Sequence, residues 1–262
     1  GSTFKTTQAL TFLQEGIINT GTMYPCSGGF SYRGLHVGCH AHPSPLSLIP
    51  AIATSCNGYF CWGLYYMIGA RQKYGSVQKA MNTWRDYMVS MGFGYQLGID
   101  LPGEKRGMIP NAQYYDKAYR RSWNGLTIIS ISIGQGEVTA TPLQIANLGA
   151  TIANRGYFVT PHVVKEIEGE SIDSIYTTRR YTKVDKGHYE EVVQGMRSAV
   201  LGGTCRTANI PELEICGKTG TAQNHGKDHS AFMGFAPMNN PKIAIAVYVE
   251  NGGWGATYGV PI

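Results

Sequence analysis

Charge is scarce in this sequence. Only 15 % of the 262 residues are Asp, Glu, Lys or Arg, and the formal net charge of +5 is spread along the chain without a long run of one sign. Nucleic-acid binding therefore has no electrostatic footprint here. No apolar run reaches the roughly 18 residues needed to span a bilayer, and no secretory leader is visible. A starting methionine is missing too. The chain opens at Gly1-Ser2 and stops at Ile262, soon after a strand-like segment, so it reads as one domain, residues 1–262, cut at both ends. Two hydrolase signatures, His-Glu-x-x-His and Gly-x-Ser-x-Gly, do not occur. Gly217-Lys218-Thr219 fails as a phosphate loop, because that motif needs Gly at position 212 and the chain has Glu212.

What is present points to a packed globular domain. Apolar residues make up 43 %, with 34 glycines and 17 tyrosines, a mix that buries a sizeable core rather than staying disordered. Helical spacing of Phe4, Ala9, Phe12, Leu13 and Ile17 predicts a helix over 2–18, with Ser2 as a candidate cap. Residues 19–46 read as loop. The apolar stretch 46–70 reads as two buried helical pieces broken near Ser55, and 76–92 as an amphipathic helix. Residues 93–125 look irregular. Thr141-Pro142 opens a helix to about 154. Short strands are expected in 157–183, a helix over 188–201, and three closing strands over 214–221, 231–236 and 243–250. The whole is an α+β domain, a mainly antiparallel sheet flanked by helices.

Three short motifs carry the chemistry. They are Ser2-Thr3-Phe4-Lys5, Ser55-Cys56-Asn57 and Lys218-Thr219-Gly220, of the types Ser-x-x-Lys, Ser-x-Asn and Lys-Thr-Gly. Positions i and i+3 of a helix share a face, so Lys5 lies beside Ser2 and, if buried and neutral, can take its proton. Ser55 could relay a proton to a leaving amine, and Asn57 could hold a substrate backbone. Lys218, Thr219 and Thr221, around Gly220, could bind a terminal carboxylate from an edge strand, with the substrate adding along that edge. The N–H groups of Ser2 and Thr221 could form an oxyanion hole. Each motif alone is weak. Ser76-Val77-Gln78-Lys79 and Ser122-Trp123-Asn124 are second matches to the first two types, and Gly1-Ser2 is also what a cloning junction leaves. Ser2 leads into an apolar helix, whereas Ser76 opens an ordinary amphipathic one.

The combination resembles the class B penicillin-binding proteins, and within them the penicillin-binding protein 2 branch of elongation transpeptidases. The resemblance covers nearly the whole chain. It rests on Gly1 to Lys5, Gly98 to Glu104, Ile133 to Pro142, Gly217 to Gln223, Phe232 to Pro237 and Glu250 to Gly253, and it argues that Ser2 is native. It implies the serine transpeptidase and β-lactamase fold, with catalytic Ser2, Lys5, Ser55 and Lys218 and substrate-binding Asn57, Thr219, Gly220 and Thr221. It implies a peptidoglycan D,D-transpeptidase that forms an acyl-enzyme with stem peptides and is acylated by β-lactams. Implied partners are stem peptides, β-lactam antibiotics, a membrane reached through an anchor outside this chain, and an elongation glycosyltransferase; no nucleic acid is implied. The place would be the periplasmic side of the bacterial inner membrane. A β-lactamase and a β-lactam sensor are the alternatives in the same fold.

Six cysteines remain. Cys26, Cys39, His42 and Cys56 match a closed three-thiolate, one-imidazole zinc site, with His40 or His36 as substitutes for His42. A Cys26–Cys39 disulfide, a Cys205–Cys216 disulfide and free thiols stay open. No cofactor is expected for catalysis; the zinc would be structural. His225, His229, Glu137 and Asp100 have ordinary structural readings, and Trp254 either lines a cleft or covers the core.

Overall fold

The computed structural model describes all 262 residues. The elements run α1 (Lys5–Gln14), β1 (Gly29–Tyr32), β2 (Leu35–Gly38), α2 (Leu48–Ala53), α3 (Asn57–Gly69), α4 (Arg71–Tyr74), α5 (Val77–Ser90), α6 (Ala112–Ala118), α7 (Pro142–Ala153), β3 (Tyr157–Phe158), β4 (Arg180–Tyr181), α8 (Lys186–Gly202), β5 (Cys216–Ala222), β6 (His229–Ala236), β7 (Ile243–Val249) and α9 (Gly255–Tyr258). The main sheet is antiparallel with order β5-β6-β7, so β5 carries the third motif on an edge. Helices α7 and α8 pack on this sheet, which gives the expected α+β arrangement.

The core forms around α1. Every residue from Lys5 to Leu13 is buried, so the apolar helix expected after Ser2 is enclosed on all sides, its polar residues included. That is possible because its polar residues satisfy one another or the backbone. The hydroxyls of Thr6, Thr7 and Thr11 donate to the carbonyls of Thr3, Phe4 and Thr7 at 2.8, 2.6 and 2.8 Å. Gln8 accepts from the Trp84 indole N–H at 2.8 Å and donates to the Thr7 hydroxyl at 3.0 Å. Buried polar groups paired in this way avoid the desolvation penalty that would otherwise exclude them. Before α1, residues Ser2–Phe4 form one 3-10 turn whose cap is Gly1, without a side-chain hydrogen bond. Ser2 therefore does not cap the helix, and its hydroxyl is left for the cleft.

The break near Ser55 is where the apolar stretch was expected to divide. Ser55 joins α2 to α3 in the left-handed region, φ 56°, a conformation that costs a non-glycine residue about 1–2 kcal/mol. Thr141 and Gln144 make a full capping box at the start of α7, with Pro142 in its first turn. Two expectations fail. Residues 19–46 are not all loop, since β1 and β2 form a hairpin pairing Gly29 to Gly38 through Tyr32 to Leu35. Residues 93–125 contain α6, capped by the Asn111 side chain, which accepts from the Tyr114 N–H at 2.8 Å. The strands expected over 157–183 reduce to two residue pairs. No helix is long and apolar enough to cross a membrane.

Candidate active site

All three motifs converge on one cleft, whose walls include Ser2, Ser55, Asn57, Thr219, Gly220 and Thr221. The rival Ser76 is spent elsewhere: its hydroxyl caps α5, accepting from the Lys79 N–H at 3.2 Å.

Ser55 sits between two buried lysines. Its hydroxyl accepts from Lys5 Nζ at 3.1 Å and from Lys218 Nζ at 2.8 Å. Lys5 also donates to the Ser55 carbonyl at 2.8 Å and to Asn57 Oδ1 at 2.6 Å. Lys218 also donates to the Thr219 carbonyl at 3.0 Å. Burial pushes the Lys5 ammonium down to about 8, against partial compensation from the nearby cysteines. Burial, and then repulsion from Lys5, pushes Lys218 well down too. Two adjacent amines without a carboxylate between them favour loss of a proton from the pair. Lys5 sends its hydrogen bonds to Ser55 and Asn57 rather than to Ser2, so Lys5, Ser55 and Lys218 form a hydrogen-bonded chain with Ser55 at its centre.

Backbone fixes these groups. Gly220 on β5 faces Thr3, and a Cβ there would lie 3.2 Å from the Thr3 methyl. Gln135 Nε2 donates to the Thr221 carbonyl at 3.2 Å, tying the Ile133–Pro142 segment to β5. Thr219 donates to the Thr204 hydroxyl at 2.9 Å. Thr204, Gln135 and Asp228 all line the cleft; Gln135 stands in the Ile133–Pro142 segment without a role of its own in the sequence, and Thr204 and Asp228 belong to no motif or spacing pattern. Trp254, left open from sequence, lines the cleft and is 69 % exposed.

The cysteine cluster adjoins this site. Cys26, Cys39, His42 and Cys56 bring their ligand atoms within 4.8 Å of one another. His42 Nε2 lies 3.4 Å from Cys39 Sγ, while its Nδ1 is 2.7 Å from the Pro43 carbonyl. An Nδ1–H donated to that carbonyl leaves Nε2 with its lone pair toward the sulfurs, as in metal-bound imidazoles. The crowded thiols divide their protons unequally: the Cys56 contact holds Cys39 down, and the same contact holds Cys56 up. The sulfurs also hold the second motif. Cys56 caps α3 by accepting from the Tyr59 N–H, and Cys39 accepts from the Asn57 N–H, both at 3.3 Å. Neither possible disulfide is formed; all six cysteines are free. His36 hydrogen-bonds Ser31 instead, at 2.7 Å.

The remaining candidates have structural partners. Asp100 accepts from the N–H groups of Val163 and Val164, both at 2.9 Å. Glu137 accepts from the Tyr115 hydroxyl at 2.9 Å, and His229 accepts from the Asn251 N–H at 2.9 Å. His225 is exposed.

Comparison with known proteins gives the family and the fold. The penicillin binding protein transpeptidase domain model matches residues 1–262. The peptidoglycan D,D-transpeptidase MrdA of Acinetobacter baumannii is 34 % identical over 98 % of this chain and 40 % of its own length. The structure of Pseudomonas aeruginosa PBP2 in complex with WCK 5153 superposes with a TM-score of 0.84 at 31 % identity, over 100 % of this chain and 56 % of that one. A peptidoglycan synthase complex that coordinates polymerization and crosslinking contains a chain with a TM-score of 0.81 at 32 % identity, covering 100 % of this chain and 44 % of its own. The chain thus spans about two-fifths to a half of these relatives.

Proposed function

This chain belongs to the penicillin-binding protein transpeptidase family, and from that premise we propose that it is the D,D-transpeptidase domain of a peptidoglycan cross-linking enzyme of the elongation type, with Ser2 as its nucleophile. The observation that carries the reading is the Ser55 hydroxyl held between two buried lysines in the cleft that also holds Ser2.

The chemistry follows from that placement. Ser2 Oγ attacks the carbonyl of the penultimate D-Ala of a stem peptide, and its proton passes to the neutral Lys5 amine. The N–H groups of Ser2 and Thr221 face the developing oxyanion. Ser55 passes a proton to the departing amine, the C–N bond breaks, and D-Ala leaves with an ester on Ser2. An amine of a second stem peptide then attacks this ester, and Ser2 recovers its proton. Lys218, Thr219 and Thr221 hold the terminal carboxylate, Asn57 the donor backbone, and Gly220 allows the substrate to lie close along the edge of β5. A β-lactam follows the first half and stays, because its amine remains tethered. The domain acts on the outer face of the cytoplasmic membrane, beside the glycosyltransferase that makes its substrate; the relative in a complex that couples polymerization to crosslinking supports that partner.

The test is intact mass during incubation with a simple penicillin. One stable adduct of the drug's mass, absent in Ser2→Ala, is expected. An adduct that disappears while drug is consumed would make the protein a β-lactamase instead.

The donor set of Cys26, Cys39, His42 and Cys56 fits zinc, three thiolates and one imidazole in a closed, tetrahedral set. Zinc would act structurally, joining the β1–β2 hairpin region to the start of α3. Cys39 and Cys56 would then present the Asn57 and Tyr59 N–H groups to fixed sulfurs. Elemental analysis of protein purified without chelator should find about one zinc per chain, and less than half an equivalent would dispose of the site. Stripping it should lower both the melting temperature and the acylation rate; a fall in the first alone would separate the metal from Ser55 and Asn57.

A further inference from the structure

We propose that the recess beyond Thr204 is the subsite for the acceptor strand, and that Arg206 there recognises a carboxylate of an acidic acceptor peptide. This rests on the transpeptidase reading and names the second substrate of the same site.

The recess encloses about 430 Å³ and shares His40, Thr204, Trp254 and Ala256 with the catalytic cleft. It opens at Thr204, whose hydroxyl accepts from Thr219 at 2.9 Å. That is the end of the cleft at which the terminal carboxylate of the donor is held. The amine attached to that carboxylate is the one that leaves, so D-Ala departs on this side. Transfer is the reverse of acylation with a new amine, so the acceptor amine must arrive along the same line. The rest of the acceptor peptide must then continue past Thr204, and the recess is the space that lies there.

Its charge selects the class of peptide. Arg206 lines the recess, is exposed, and makes no ion pair and no side-chain hydrogen bond. No Asp or Glu side chain lines the recess. An unopposed guanidinium presents a planar fork suited to a carboxylate. Its base is fixed: Cys205 is fully buried, the Thr204 N–H donates to the Ala53 carbonyl at 3.0 Å, and the Cys205 N–H donates to the Ala199 carbonyl at 2.9 Å. Asp228 is the carboxylate lining the catalytic cleft, and it does not reach the recess. Trp254, on the wall common to both spaces, offers an apolar face against which a peptide can lie.

Acylation and transfer can be read separately. The protein would receive a thioester analogue of the donor, an acyl-D-Ala thioester whose leaving thiol carries a carboxylate in place of the terminal D-Ala, and an amine-bearing acceptor peptide with one free side-chain carboxylate, or the same peptide amidated there. In Arg206→Ala and Arg206→Glu the penicillin acylation rate should stay within about twofold, while the ratio of transfer to hydrolysis falls roughly tenfold or more. Arg206→Lys should retain part of that ratio. With the amidated acceptor the wild type should already transfer poorly, and the variants should match it. An unchanged ratio, an equal loss with both acceptors, or a loss of acylation in step with transfer would each overturn the subsite. A wild type that is not acylated at all would overturn the transpeptidase reading first, and that outcome is visible before any acceptor is added.

Discussion

Replacing Lys5 with methionine should slow acylation of Ser2 by about 10²–10⁴-fold, the range that a positioned general base contributes. The alkyl stem would be kept, so the buried volume hardly changes. What is lost is the amine that can accept the serine proton and that donates to Ser55 and Asn57. The wild-type pH profile gives the sharper readout. With the Lys5 ammonium pushed down to about 8 by burial, roughly a tenth of it is neutral at pH 7. The acylation rate should therefore climb with pH through about 8 and then level, and that limb should be absent in Lys5→Met. Lys218→Met should keep the limb while weakening capture of donors that carry a terminal carboxylate, because its role lies with Ser55 and the carboxylate end. Stability has its own sign. Between about 8 and the ordinary lysine value of 10.5, the unfolded chain holds a proton that the folded chain has released. This group's contribution to stability therefore rises with pH in that window, and below it the buried charge is a constant cost. Lys5→Met protein that acylates within tenfold of wild type would remove Lys5 as the base.

The parts of this site that could be read from sequence are those whose chemistry is local. Ser2 and Lys5 share one turn, Ser55 and Asn57 flank one helix start, and Lys218 to Thr221 lie on one strand, so each motif survives as a short string. The opposite wall does not. Thr204 reaches the cleft because its N–H is anchored on Ala53, across the chain, and Gln135 because its amide meets Thr221. Nothing near Thr204 announces its contact, and the Ile133–Pro142 segment marks Gln135 without saying what its amide meets. The β1–β2 hairpin escaped notice for a different reason. Its two-residue turn is Arg33-Gly34, both with positive φ, 48° and 81°, the mirror-type turn that hairpins favour. The usual signal is Asn or Asp before the Gly, and Arg in that place hides it. The burial of α1 is legible in its apolar spacing, but the burial of Thr6, Thr7, Gln8 and Thr11 with it is not, because these residues count as polar in any periodicity and only their hydrogen bonds to the backbone and to one another admit them. The grouping of Cys26, Cys39, His42 and Cys56 is legible because cysteines are few and the Cys39-x-x-His42 spacing is tight; the fold brings their ligand atoms within 4.8 Å of one another, beside Asn57.

Substituting Gly134 by alanine should abolish most acylation, although Gly134 is not among the residues that line the cleft. The residue has φ 70°, and a Cβ there would run into the Gly1 carbonyl and lie 2.8 Å from Phe4 Cβ. The left-handed conformation costs an alanine about 1–2 kcal/mol. The collision adds to this, because the atom it meets is backbone rather than the end of a flexible side chain. A total of about 2–4 kcal/mol is expected, in the range of severe single substitutions. The relief available is to move the Gly1–Phe4 turn, and that turn carries Ser2. Its other side is closed by Gly220, which faces Thr3, so a shift away from Gly134 presses the turn against β5. A displacement of about 1 Å at a nucleophile can cost about 10²-fold in rate. The expected result is a protein whose melting temperature falls by several degrees and whose acylation rate falls by about a hundredfold at a temperature where it is still folded. Gly16→Ala supplies the comparison, since Gly16 also has positive φ, 67°, but a Cβ there meets nothing within 4 Å. That variant should lose stability without losing acylation rate. If Gly134→Ala behaves in the same way, the tight seat of the nucleophile against the Ile133–Pro142 segment is not what positions Ser2.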